Sequence, residues 1–166
     1  MPNPDIRHAE PADLEALTRL YNHFVETTTI TFDIEPFTSK ARKSWMAQFS
    51  RSGRYQLFVA EERGRIAGYA SSTRHRAKPA YDASVEATIY VDPAFSRRGI
   101  GLSLYERLFS ALADEDVHCI YAGVALPNPA SIAFHQRFGF TEIGTFHEVG
   151  HKFGRYIDVM WLEKQL

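Results

Sequence analysis

Apolar positions along this chain recur with two periods, and the switches between them mark out its elements. Leu14, Leu17, Tyr21, Phe24 and Val25 fall at helical spacing. Glu10-Pro11-Ala12-Asp13 suits the start of that helix, because proline fits a first helical position and acidic residues face the positive end of the dipole. The order we assign places a short strand ahead of it. The β-branched run 27–31 predicts a loop or a short extended piece leading to Phe32. Thr38 or Ser39 reads as the cap of a second helix with Ala41, Trp45 and Phe49 on one face. Residues 56–61 and 65–73 read as strands of a hairpin joined by Glu62-Arg63-Gly64. Residues 84–91 form another strand, which stops at Asp92-Pro93. Helical spacing returns over 101–113, where Leu104, Tyr105, Leu108, Phe109 and Leu112 make an apolar stripe. A buried strand follows at 119–124, Pro127-Asn128-Pro129 breaks it, and a short helix runs through Phe138 to Gly139, a residue suited to the positive φ beyond a helix end. Residues 140–162 alternate, with Gly144, Gly150 and Gly154 interspersed, and predict paired strands.

The resulting order, β-α-α-β-β-β-α-β-α-β-β, contains one strand–helix–strand unit (84–91, 101–113, 119–124). Such a unit imposes a local parallel pair on an otherwise antiparallel sheet. The expected fold class is α+β (α/β in the broader sense): a mixed, mostly antiparallel sheet flanked by helices. The 166 residues predict one domain, 1–166, with no repeat, low-complexity tract or linker to divide it.

Charge and cysteine content narrow the function. Nineteen Lys plus Arg stand against twenty Asp plus Glu, a net charge of −1, which argues against a nucleic-acid partner, since phosphate contacts need a basic surplus. Within that balance Arg74, Arg76, Arg97 and Arg98 lie close together in the chain. The lone cysteine, Cys119, excludes an intramolecular disulfide and a cysteine-clustered zinc site, and its apolar surroundings suit a buried small hydrophobe. The first five residues carry neither a basic nor an apolar segment of a signal peptide, and no run of about 18 apolar residues can span a membrane. We therefore expect a soluble, cytoplasmic protein with no membrane partner.

The strongest chemical signal is a strand that runs through a glycine-bearing turn into a helix: Ile89-Tyr90-Val91-Asp92-Pro93-Ala94-Phe95-Ser96-Arg97-Arg98-Gly99-Ile100-Gly101-Leu102. Gly99 and Gly101 permit a tight turn that exposes main-chain N–H groups at a helix N-terminus, where phosphate oxygens bind. Arg97 and Arg98 add positive charge beside it. A plain strand-to-helix turn remains the alternative reading. Two familiar phosphate loops are excluded: the third glycine of a dinucleotide fingerprint is Leu104 here, and no G-x-x-x-x-G-K-[ST] occurs. His147-Glu148-Val149-Gly150-His151 matches the zinc motif H-E-x-x-H, which needs a helix to bring both histidines to one face. Gly150 costs such a helix about 1 kcal/mol, the position for a third histidine is Ile157, and the flanks alternate like strands, so we expect no metal.

In this context the chain resembles the GNAT family of acetyl-CoA-dependent N-acetyltransferases, whose signature is [QR]-x-x-G-x-[GA] after a strand. Ser96 stands at its first position and Gly99 and Gly101 fit the others. Within the family it looks most like the phosphinothricin, methionine sulfoximine and methionine sulfone acetyltransferases. The matching segments are Leu20-Tyr21-Asn22, Ala80-Tyr81-Asp82, Val85-Glu86-Ala87-Thr88-Ile89-Tyr90-Val91, Leu126-Pro127-Asn128, Phe134-His135 and Gly150-His151-Lys152-Phe153-Gly154-Arg155-Tyr156-Ile157-Asp158-Val159. The resemblance implies a GNAT-like sheet, acetyl-CoA as co-substrate and no metal. It also implies a small-molecule amine as substrate and a homodimer.

It further implies roles. Glu86 is the expected general base, because an ammonium must lose a proton before it attacks a thioester; the alternative is an exposed glutamate or the partner of an arginine. His135 is the expected acid for the departing thiolate or a second base, or else a satisfied structural histidine. Acetyl-CoA is expected on Ile89, Tyr90, Val91, Arg97, Arg98, Gly99, Ile100, Gly101, Leu102, Asn128 and Ser131. A main-chain N–H near 89–91 would hold the oxyanion. Phe32, Arg74, Arg76, Tyr81 and Tyr90 are the expected substrate residues, the arginines for carboxylate or phosphinyl oxygens; alternation places residues 74, 76 and 78 on one side of an extended chain, and Arg74-His75-Arg76-Ala77-Lys78 reads equally as a solvated basic strand end. Transfer should be direct, since Cys119 has no adjacent base to make it a nucleophile. The competing readings are acetylation of another amine or of a protein N-terminus or lysine, and a non-catalytic acyl-CoA-binding domain.

Overall fold

A computed structural model describes residues 4–166 of the chain, so the sequence reading of the opening segment falls partly outside it. The strands are β1 (Asp5–His8), β2 (Leu57–Glu62), β3 (Arg65–Arg74), β4 (Ser84–Val91), β5 (Cys119–Ala125), β6 (Thr141–Lys152) and β7 (Arg155–Gln165). The helices are α1 (Leu14–Thr27), α2 (Lys43–Met46), α3 (Ile100–Ala113) and α4 (Pro129–Arg137). All seven strands join one sheet in the order β1-β2-β3-β4-β5-β7-β6. Each pairing is antiparallel except that of β4 with β5, as the strand–helix–strand unit required.

Helices cover both faces of the sheet. Leu17, Leu20 and Phe24 of α1 bury against Leu57, Val59 and Tyr69. On the other face Leu104, Tyr105, Leu108 and Leu112 of α3 pack on Phe58, Ala70, Val85 and Ile120. Because both faces are covered, β2 is buried residue after residue from Leu57 to Ala60 instead of alternating with water. The start of α1 is fixed by Asp13, which accepts the Glu10 N–H at 2.8 Å and both terminal nitrogens of Arg7 at 2.7 and 2.9 Å. The hairpins turn at Arg63-Gly64 (φ 54° and 74°) and Phe153-Gly154 (φ 51° and 70°). Positive φ at both central residues matches the right-handed twist of the paired strands.

The second helix is shorter than its periodicity predicts. Its cap forms, with the Ala41 N–H donating to Thr38 Oγ1 at 3.1 Å. Beyond Met46, however, the bonds tighten to i→i+3, as in Phe49 N–H to Met46 O at 3.2 Å. A tertiary contact holds the segment instead: the buried Arg42 guanidinium lies 4.4 Å from the Tyr21 ring centre and 3.8 Å from that of Trp45. Among the described residues no helix is long and apolar enough to cross a membrane.

Leu104 is fully buried between α3 and the sheet. Leu104→Ala should therefore cost about 3 kcal/mol and lower Tm by about 6–12 °C in a thermal scan.

Candidate active site

The site begins where two strands part. β4 and β5 pair over three positions, from Ser84 with Cys119 to Glu86 with Tyr121. Beyond them β5 continues with β7 as far as Ala125 and Val159, and β4 continues with β3 as far as Val91 and Gly68. The Asp92 N–H donates to Ala67 O at 2.9 Å, which fixes the alternation of the β3–β4 ladder. Residues 90, 88 and 86 thus turn their main-chain groups toward β3, and Ile89 and Val91 turn theirs into the gap that β5 has vacated. A cleft of about 290 Å³ fills that gap, walled by β4, Gly123–Ala125 of β5, α4 and the Ile30–Phe32 loop.

Main-chain donors converge on the open end of this gap. Arg97 and Gly99 both take positive φ, at 61° and 77°, and the first helical bond of α3 runs from Ser103 N–H to Gly99 O at 3.1 Å. The N–H groups of Ile100, Gly101 and Leu102 therefore have no partner within the helix. A Cβ on Gly101 would lie 3.3 Å from the Phe134 ring of α4 and 3.6 Å from Ile89 Cδ1 of β4, so the helix start abuts both walls of the cleft. Arg98 is drawn back to Glu62 at 2.9 Å, and Arg97 is exposed. These donors fit coenzyme A: unpaired amides at a helix N-terminus suit a diphosphate, and a strand edge with free main-chain groups suits an extended, amide-bearing arm.

Glu86 lies in the cleft wall just where the strands diverge. Burial pushes its carboxyl above the ordinary value, opposed by His75 and by the charge of Arg76. His75 Nδ1 lies 2.9 Å from Glu86 Oε1. The imidazole stacks on Tyr121 with ring centres 4.5 Å apart and meets Tyr81 and Trp161 edge-on at 6.1 Å.

His135 is buried, and both of its nitrogens are engaged. Nδ1 lies 2.8 Å from Ser131 O, a carbonyl that can only accept, so Nδ1 carries the proton. Nε2 lies 3.0 Å from the Tyr105 hydroxyl. Burial lowers the His135 pKa, which keeps the ring neutral and makes Nε2 the acceptor of the Tyr105 proton. In this state Nε2 accepts from Tyr105 and carries no proton of its own. Asn128 spends its side-chain oxygen capping α4, accepting the Ser131 N–H at 3.1 Å, and both residues line the cleft.

Of the expected substrate residues, Phe32 and Tyr90 line the cleft and Arg74, Arg76 and Tyr81 lie outside it. Arg74 pairs with Asp82 at 2.9 Å, Arg76 is exposed, and Tyr81 stands at the surface beside His75. The reason is register. Thr73 pairs with Glu86, and Arg74 shares its position with Val85 on the opposite side. The alternation that aligned residues 74, 76 and 78 thus turned them from the carboxylate and delivered His75 to it. His75, Tyr105 and Lys152 were not singled out as site residues in the sequence. Lys152 is buried and donates from Nζ to Thr31 O at 2.9 Å, tying β6 to the cleft loop. The H-E-x-x-H segment lies in β6, where His147 pairs with Asp158 at 3.2 Å, so the helix that would make it a zinc site does not form. Among the described residues no group of three or more His, Cys, Asp or Glu side chains could hold a metal.

The class of protein follows from comparison. The model of the acetyltransferase (GNAT) domain matches residues 6–161, and the chain belongs to that family. It is 53% identical to a phosphinothricin N-acetyltransferase of Streptomyces coelicolor, over 97% of this chain and 95% of the relative. An L-methionine sulfoximine/L-methionine sulfone acetyltransferase of Salmonella typhimurium is 35% identical over 97% and 94%. The solved phosphinothricin acetyltransferase of Sinorhizobium meliloti in complex with AcCoA superposes with a TM-score of 0.92 at 29% identity, covering 99% of this chain and 89% of that one. The mixed sheet with its single parallel pair is thus the GNAT fold.

Two glycines test the site. Gly101→Val should weaken coenzyme A binding at least about tenfold in calorimetry, because its branches crowd the Phe134 ring and Ile89 and shift the helix start that carries the free amides. A Cβ on Gly150 would stand 2.3 Å from the Phe32 ring, so Gly150→Ala must displace Phe32 from the cleft. It should raise KM for the amine about tenfold or more and leave coenzyme A affinity within about twofold.

Proposed function

We propose that this protein acetylates the amine of a small amino-acid-like substrate of the phosphinothricin, methionine sulfoximine or methionine sulfone type, using acetyl-CoA. The observation that carries this reading is the raised carboxylate of Glu86 at the fork of β4 and β5, beside free main-chain donors. Acetyl-CoA supplies an activated thioester carbon. The α3 N-terminus binds its diphosphate, and the exposed edge of β4 at Ile89 and Val91 orients its arm. Glu86 accepts a proton from the substrate ammonium and leaves the nitrogen lone pair free to attack. An N–H of the same β4 edge holds the oxygen that develops negative charge. Phe32 and Tyr90 wall the amine, and the Tyr90 hydroxyl, its pKa pushed up to about 12 by burial, stays protonated as a donor. His135 fixes Tyr105 against the cleft. Cys119 is buried in β5, and transfer is direct.

We further propose a cytoplasmic homodimer of one-domain chains. Its support is the exposure of Phe146, Val149, Phe153 and Tyr156 along the β6–β7 hairpin at the edge of the sheet.

Glu86→Gln should lower kcat at least about 100-fold and leave coenzyme A affinity near wild type. Thiol release from acetyl-CoA should appear with amino-acid sulfones, sulfoximines or phosphinates and not with peptides bearing a free N-terminus or lysine. The opposite pattern would make a protein amine the substrate. Light scattering should give twice the chain mass, and Phe153→Asp should give a monomer.

A further inference from the structure

We propose that His75 is a positioning residue for the base: its imidazole fixes one oxygen of Glu86, and its own protonation, taken from the solvent side, sets how strong a base that carboxylate is. The inference rests on the reading of Glu86 as base.

The contact is specific in its atoms. Nδ1 lies 2.9 Å from Oε1, and an ionised carboxylate can only accept, so Nδ1 carries a proton whenever Glu86 is charged. Oε2 makes no other hydrogen bond among the described residues and is left to meet the substrate ammonium. The ring cannot swing away, because Tyr121 covers one face nearly parallel, with an interplanar angle of 21°, and Tyr81 and Trp161 close on its edges.

The other nitrogen faces a different space. His75 does not line the acetyl-transfer cleft but a second groove of about 270 Å³, shared with Arg76, Phe146 and Trp161. Among the described residues Nε2 has no protein partner, and it is not among the buried nitrogens left without one, so it is open to water. One ring thus joins the cleft to an outside groove.

Two states follow. With neutral His75, Glu86 receives one hydrogen bond and burial keeps its proton affinity high. With His75 as imidazolium, the same contact is an ion pair that holds the carboxylate ionised but makes it a poorer base. The remaining charges near the pair are few. Arg76 on the same segment acts on Glu86 from the groove side, Arg74 is spent on Asp82, and Glu163 of β7 stands across from Tyr121. Tyr121, Tyr81 and Trp161 contribute uncharged rings. The reaction needs no further reagent: one ammonium proton passes to Oε2, the N–C bond forms, the C–S bond breaks with its electron pair on sulfur, and the second proton of the nitrogen goes to the departing thiolate.

The test is the acidic limb of the pH profile of kcat/KM. Wild type should lose activity in two steps, through a partly active state with His75 charged. His75→Gln, which still donates a hydrogen bond but cannot charge, should show one step. His75→Met, which cannot donate, should show one step moved upward by about one pH unit, the size expected for losing a hydrogen bond to a charged group. Its deficit should be larger at pH 6 than at pH 8. In wild type, nitrogen-resolved NMR should find Nδ1 protonated throughout while Nε2 titrates, a readout that does not depend on any variant folding. A wild-type profile in both variants, or titration at Nδ1, overturns the proposal. If Glu86→Gln keeps its activity, the reading of the base fails instead; if it is inactive and the His75 variants match wild type, only the role of His75 fails.

Discussion

The fork between β4 and β5 is the constraint on which the site depends. A strand inside a sheet ordinarily spends its main-chain donors and acceptors on both neighbours, and burying them unpaired is costly. Here β4 has its second neighbour only as far as Glu86, and beyond it the groups of Ile89 and Val91 face open space. That space persists because β5 is committed elsewhere: seven successive residues, Cys119 to Ala125, pair with β7. The missing ladder leaves a free strand edge, and the unpaired α3 amides at its open end continue it.

The same fork sets the electrostatics. Glu86 sits at the last paired position, deep enough for burial to raise its pKa and open enough to meet a ligand. The opposing histidine keeps that rise in check. His135 shows the contrast: deeper burial, a carbonyl on one nitrogen and a phenol on the other leave it neutral and occupied. Two histidines near one cleft therefore do different work, and the partners of each ring nitrogen decide which.

The wall opposite β4 is assembled from distant segments. Phe32 reaches its place because Gly150 has no side chain, and Lys152 anchors Thr31 from the same strand. A loop between two helices is thus set by a hairpin more than a hundred residues away. This coupling ties a glycine in an edge strand to the wall of the cleft.

Much of this was legible in the sequence, for reasons that are local. Helical spacing in α1 and α3, alternation in the strands and the Arg63-Gly64 turn each depend on neighbours within a few residues. The glycine turn and the strand–helix–strand unit foretold the parallel pair and the free amides. The extent of α2 was not legible, since Arg42 stacked on Tyr21 and Trp45 replaces most of a helix. Nor was the choice among residues 74, 75 and 76, because a strand's period of two says which side chains share a side and only its register with β4 says which side that is. The sequence by itself determined the elements and the chemistry available to them. The tertiary structure decided where β4 and β5 part and which imidazole meets Glu86, because both are set by pairing between segments far apart in the chain.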